Sequence, residues 1–169
     1  MLNYEDMFNY FKRERDGLIR ALENLSDEDF MKNLGLSFGS IKDVLVHTVM
    51  VEDNWLHYRA AGLGEGTSLK MEGFKNMQDI KKYIAEVDAR TAKLFSNMTA
   101  QDLRTEIKRV QPDGKEVAYA LEDVLYHIPI EIIHHYGEIF AEFWKMNINA
   151  PYYSYLAYSR NKAKTQRAR

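Results

Sequence analysis

Apolar residues recur every three or four positions along most of this chain, and that period predicts four long helices. In 4-YEDMFNYFKRERDGLIRALENL-25, Met7, Phe8, Phe11, Leu18, Ile19 and Leu22 form one stripe between charged residues. This is the pattern of an amphipathic surface helix. Ser26 and Asp29 then make a capping box that opens a short turn. A second helix is expected from Ser40, with Asp43 at its third position, through 41-IKDVLVHTVMVEDNWLHYRAA-61. Val44, Leu45, Val46, Val49, Met50 and Val51 spread round most of its circumference, so its middle is expected to be buried on several sides, His47 included. The glycines of 62-GLGEGTSLK-70 end it.

A third helix is expected over roughly 76–98, with Met77, Ile80, Tyr83, Ile84, Val87, Leu94 and Phe95 along its stripe, followed by a short turn capped by Thr99 and Asp102. The pattern then changes. Pro112-Asp113-Gly114 is a turn signature between two stretches of strand-forming residues, which predicts a small hairpin within 104–120. The fourth helix, about 121–147, carries Pro129, where a kink or a shifted start is expected, and Gly137, where a neighbour can approach closely. Four long helices without strand-helix alternation imply an all-α, four-helix bundle, with the hairpin in the connection before the last helix. We expect one domain over 1–158 and a basic, flexible tail over 159–169.

Composition narrows the chemistry. With 169 residues, 46 % of them apolar and 28 % charged, the chain is long enough to bury a core without staples. It has no cysteine, so disulfides, thiolate ligands and a cysteine nucleophile of its own are excluded. A net charge of −2 gives no overall reason to expect a nucleic-acid partner. Arg160, Lys162, Lys164, Arg167 and Arg169 are the exception, and a solvated terminus is the commoner meaning of such a cluster. No apolar run reaches membrane-spanning length, and MLNYEDMFNY lacks the pattern of a signal peptide, so no membrane partner and a cytoplasmic address are expected.

The candidate chemistry sits in 127-HIPIEIIHHYGE-138. Residues four apart on a helix are offset by about 40°, so Glu131 and His135 stack on one face, with Glu138 joining them and His127 one turn upstream. Two such side chains hold a metal ion only when a third ligand comes from elsewhere, and His47 is the natural candidate. The competing reading is a hydrogen-bonded core histidine and a solvated pair. Against it, a helix rich in isoleucine has little exposed face on which to carry several ionisable groups cheaply. Spacing alone leaves both readings open. Glu138 and Glu52 are candidates for acid-base or supporting roles, Glu52 being the more structural of the two; Asn54 and Tyr58 share the face of His47 and are candidate pocket residues.

The two segments 45-LVHTVMVEDNW-55 and 131-EIIHHYGE-138 resemble the DinB/YfiT-like family, read as metalloenzymes, in which a histidine in a pattern like LxHxxxxExxW joins two ligands four residues apart in the last helix, the second within a run like HHRGE. Glu52 and Trp55 are in register with the first pattern. The likeness extends from the first helix to 151-PYYSYLAY-158, and the two motifs are moderately specific together. It implies His47, Glu131 and His135 as metal ligands, a four-helix bundle of unusual helix order, and frequent homodimers. Two departures stand out. Glu131 occupies a position where many members have histidine, and Tyr136 one where arginine is usual.

Two histidines and a carboxylate suit a divalent ion, zinc or nickel ahead of iron or manganese. Such an ion lowers the pKa of bound water, or deprotonates a bound thiol, and either gives a nucleophile. The resulting expectation is a metal-dependent hydrolase or thiol transferase with Glu138 as its catalytic carboxylate, acting on a small-molecule substrate such as a low-molecular-weight thiol. The alternative is a non-catalytic dimeric bundle or small-molecule-binding protein with a vestigial metal site. A homodimer is expected in either case, because Phe140, Phe143, Trp144, Tyr152, Tyr153 and Tyr155 supply more aromatic surface near the C-terminal end than one bundle needs.

Overall fold

Helix starts are set by small polar side chains that satisfy amides left open at a first turn. The computed structural model describes residues 3–167. Asn3 Oδ1 accepts from the amide of Glu5 at 2.9 Å and opens α1 (Tyr4–Leu22). Ser26 Oγ accepts from Asp29 and opens the short α2 (Asp27–Met31). Ser40 Oγ accepts from Asp43 at 3.1 Å and opens α3 (Ile41–Asp53), and Asn76 Oδ1 accepts from Asp79 at 3.0 Å and opens α4 (Met77–Asn97). The capping signatures at Ser26 and Ser40 were therefore legible as written.

α3 does not stop at Asp53. It continues as one π-helical turn, Asn54–Arg59, in which the amide of Ala60 reaches the carbonyl of Trp55 at 3.0 Å and that of Leu63 reaches Tyr58 at 2.8 Å. The extra residue per turn rotates the side chains that follow it away from the register of His47. A hairpin of β1 (Glu106–Val110) and β2 (Glu116–Ala120) follows α4 in antiparallel register from Glu106↔Ala120 to Val110↔Glu116. Gly114, at φ 83°, supplies the left-handed residue of its turn. The hairpin is held to the bundle by Ile107, which is buried, and by the amide of Leu121 donating to the carbonyl of Thr105.

α5 (Leu121–Lys145) runs through Pro129 with neither a break nor a shifted start. Ile128 and Ile132 fix this stretch against the core. The bundle consists of α1, α3, α4 and α5, with α3 packed on both α4 and α5 and α1 on α5. Its centre is a continuous cluster that includes Phe8, Phe11, Leu18, Ile41, Val44, Leu45, Ile80, Val87, Leu125, Ile139 and Phe143. Among the described residues no helix is long and apolar enough to cross a membrane.

α6 (Tyr155–Arg167) takes in most of the segment expected as a flexible tail. Tyr158 packs at 5.6 Å from Tyr10, and Lys162 pairs with Asp6. The side chains of Lys164 and Arg167, and the whole of Arg169, lie outside the described residues. Packing also covers part of the aromatic set at this end. Phe143 is fully buried and Phe140 lies 4.6 Å from the ring of Tyr153, which leaves Trp144 and Tyr152 exposed at 72 % and 86 %.

Candidate metal centre

The helical offset of Glu131 and His135 places both on the face of α5 that meets α3, where His47 projects from the second turn of that helix. The three side chains are half-buried, and each offers a ligand atom within 4.8 Å of the other two. His47 Nε2 lies 3.7 Å from Glu131 Oε1. Donors about 2.1 Å from one tetrahedral ion lie roughly 3.4 Å apart, so small side-chain rotations close this set around one ion. The donors are nitrogen and oxygen, as a chain without cysteine requires.

Each member is oriented by a further partner. Glu131 Oε2 lies 2.5 Å from His127 Nε2, one turn upstream. The neighbouring imidazoles of His47, His127 and His135 hold the Glu131 carboxyl below its usual range against the opposing effect of burial. Glu131 Oε2 accepts from His127 Nε2. His135 Nδ1 lies 2.6 Å from Glu138 Oε1, which leaves Nε2 as its ligand nitrogen. Burial alone would raise the pKa of Glu138, but the Ser37 amide, His135 and the Ser37 hydroxyl together hold it below the usual carboxylate range.

Both oxygens of Glu138 are engaged by neighbouring donors. Its Oε2 accepts from the Ser37 amide at 3.0 Å, and its Oε1 from the Ser37 hydroxyl at 2.9 Å as well as from His135. The carboxylate expected as catalytic thus sits between Ser37 and His135. Phe38 stacks on His47 with centroids 3.8 Å apart and planes at 20°, and meets His135 edge-on at 5.6 Å. Ser37 and Phe38 belong to a tight loop closed by the Leu36–Gly39 bridge, where Gly39 has φ 90°. The reading of the sequence passed over this loop. Its signal was Gly35 and Gly39 bracketing Leu36-Ser37-Phe38, a turn that displays the two residues in its middle.

The remaining candidates lie elsewhere. His134 is exposed and outside the ligand set, as its wheel position requires. Asn54 Oδ1 accepts from the amide of Thr67 at 2.7 Å and so pins the following loop, and Tyr58 lines a separate surface cleft with Asp53 and Tyr83. Asn54 lies about two turns along the helix from His47, and the π-helical turn lies between His47 and Tyr58. Glu52 is structural: it is fully buried, accepts from Thr91 Oγ1 at 2.5 Å and pairs with Lys12 at 3.3 Å. His57 Nε2 lies 3.1 Å from Thr91 Oγ1, and burial and then Arg90 push the His57 pKa down to about 4.

A family model described as the DinB family matches residues 1–162. Among solved structures, a DinB-like protein from Bacillus cereus ATCC 10987 is 17 % identical and superposes with a TM-score of 0.64 over 88 % of this chain and 95 % of that one. At that identity the likeness speaks for the fold alone. No curated protein matches the chain.

Proposed function

The chain belongs to the DinB family, and from that premise we propose that it is a metal-dependent enzyme of the hydrolase or thiol-transferase type. His47, Glu131 and His135 hold one divalent ion, zinc or nickel ahead of iron or manganese. When bound, such an ion lowers the pKa of a water or small-molecule thiol beside it. The observation that carries this reading is the convergence of three ligand atoms from two helices within 4.8 Å of one another.

The protein's own groups do the rest. Glu138 fixes the His135 imidazole in the tautomer that presents Nε2, and Phe38 fixes the plane of His47. His127 holds one Glu131 oxygen, so that carboxylate offers its other oxygen to the set. His127, beside Glu131 and outside the ligand set, is the group we assign to accept a proton from the incoming water or thiol. His127 suits that task because it is half-exposed and not a member of the ligand set.

Two measurements test the proposal. Zinc or nickel titrated into tag-free protein is expected to bind one ion per chain, and to fail in His47→Ala. The loaded protein is then assayed against aryl esters and against thiols paired with a chloronitroarene. His127→Ala is expected to retain the ion and lose the rate enhancement. No ion bound by the unmodified chain, or equal rates with and without His127, would overturn it.

A further inference from the structure

A cavity of about 210 Å³ opens beside the candidate metal centre, lined by Trp55, Arg109, Tyr119, Asp123, Val124 and His127. It is one side chain away from the ligand set, because His127, which forms part of its wall, is the residue 2.5 Å from Glu131. At several times the space one water needs, the cavity admits the charged end and part of the body of a small organic molecule.

Its walls come from three elements. The π-helical turn after α3 contributes Trp55, which is almost fully buried. The register Ile107↔Tyr119 and Arg109↔Val117 puts Ile107, Tyr119 and Arg109 on one face of the hairpin, so the burial of Ile107 in the core aims the other two at the bundle. The first two turns of α5 contribute Asp123, Val124 and His127. Tyr119 and His127 both meet the indole of Trp55 edge-on, at 5.8 and 5.6 Å.

Arg109 is the distinctive member. Its guanidinium lies over the Trp55 ring, 5.5 Å from the centroid, and among the described residues no carboxylate lies within ion-pair distance of it. Arg59, on the same indole at 4.7 Å, is by contrast committed to Glu65 at 3.1 Å. A guanidinium held beside an aromatic ring, with no carboxylate on its N–H groups, can present them to the two oxygens of a carboxylate. Asp123 lines the same cavity without pairing with Arg109, and its charge disfavours a doubly charged anion.

We propose that this cavity is the recognition pocket for a substrate bearing a single carboxylate on a flat or apolar body, with Arg109 on the carboxylate and Trp55 and Tyr119 against the body. The inference rests on the metal-site reading only for what lies next to the pocket; the binding itself needs no ion. Its test uses Trp55 as the reporter, in a Trp144→Phe background that leaves one indole in the chain. Phenylacetate is expected to change the Trp55 emission saturably. Phenylacetamide, which lacks the charge, and phenyl phosphate, which carries two, are each expected to bind at least tenfold more weakly.

Arg109→Met is expected to weaken phenylacetate at least tenfold while the far-ultraviolet circular dichroism stays the same. His135→Ala is expected to leave phenylacetate binding unchanged, so loss of the metal centre and loss of the pocket are read separately. Should phenylacetate fail to saturate, or bind no better than its amide, or be indifferent to Arg109→Met, the assignment falls even if the ion is present. Phenyl phosphate binding as tightly as phenylacetate would overturn the single-carboxylate specificity.

Discussion

The carboxylate of Glu138 lies 2.6 Å from Nδ1 of His135, one turn along α5, and a loop more than ninety residues earlier in the chain holds that carboxylate through Ser37. His135 on α5 is thus oriented, through Glu138, by a loop that precedes α3.

Removal of the orienting carboxylate should weaken the ion without abolishing it. Glu138→Ala is expected to lower affinity for zinc by about 10- to 100-fold, the usual effect of losing such a partner. Ser37→Ala should do less, because the Ser37 amide still donates to Glu138. Competition against a chelator of known affinity measures both.

Loss of a ligand is a different event from loss of its neighbour. His135→Ala is expected to abolish stoichiometric metal, whereas His134→Ala, about 100° round the helix and exposed, should keep it. Elemental analysis of the purified variants decides this. Equal retention by both would show that the cluster is structural.

Stability should depend on pH through Glu14, whose pKa burial raises to about 7 from 4.5. The folded chain therefore binds a proton between those values that the unfolded chain has released, so this group makes stability fall as pH rises across that window, with no further loss above it. Glu14→Gln removes the dependence. Its denaturation midpoint should match that of the unmodified protein near pH 4 and exceed it at pH 8.

The buried Glu52 relies on cations from α1. Lys12→Met removes the ion pair and leaves that carboxylate with Thr91 and the more distant charge of Arg15, and breaking a buried pair on one side costs about 3 kcal/mol or more. The double variant Lys12→Met/Glu52→Gln should recover much of the loss. Urea melts of the two variants test the coupling.

Trp144 and Tyr152, left uncovered by their own chain, are where we place the contact of a homodimer. Sedimentation at micromolar concentration is expected to show a dimer that Trp144→Ala weakens; a monomer throughout would remove this proposal.

Local chemistry determined the helices. The 3.6-residue period marked α1, α3, α4 and α5, Ser26 and Ser40 marked two of the starts, and Pro-Asp-Gly marked the hairpin, because each depends on residues a few positions apart. The pairing of Glu131 with His135 was legible for the same reason, since one helix fixes their offset. Where the rest of the site comes from was decided by tertiary structure. Only packing brought Ser37 and Phe38 onto α3 and α5, because a short loop carries no period that points across a bundle. The π-helical turn left no mark in the pattern either, yet it takes Tyr58 out of the register of His47, and Trp55, on the same turn, meets His127. Glu138 was visible as a carboxylate on the right face, but its role depends on where its two oxygens go, and those partners are separated from it by 3 residues in one case and 101 in the other.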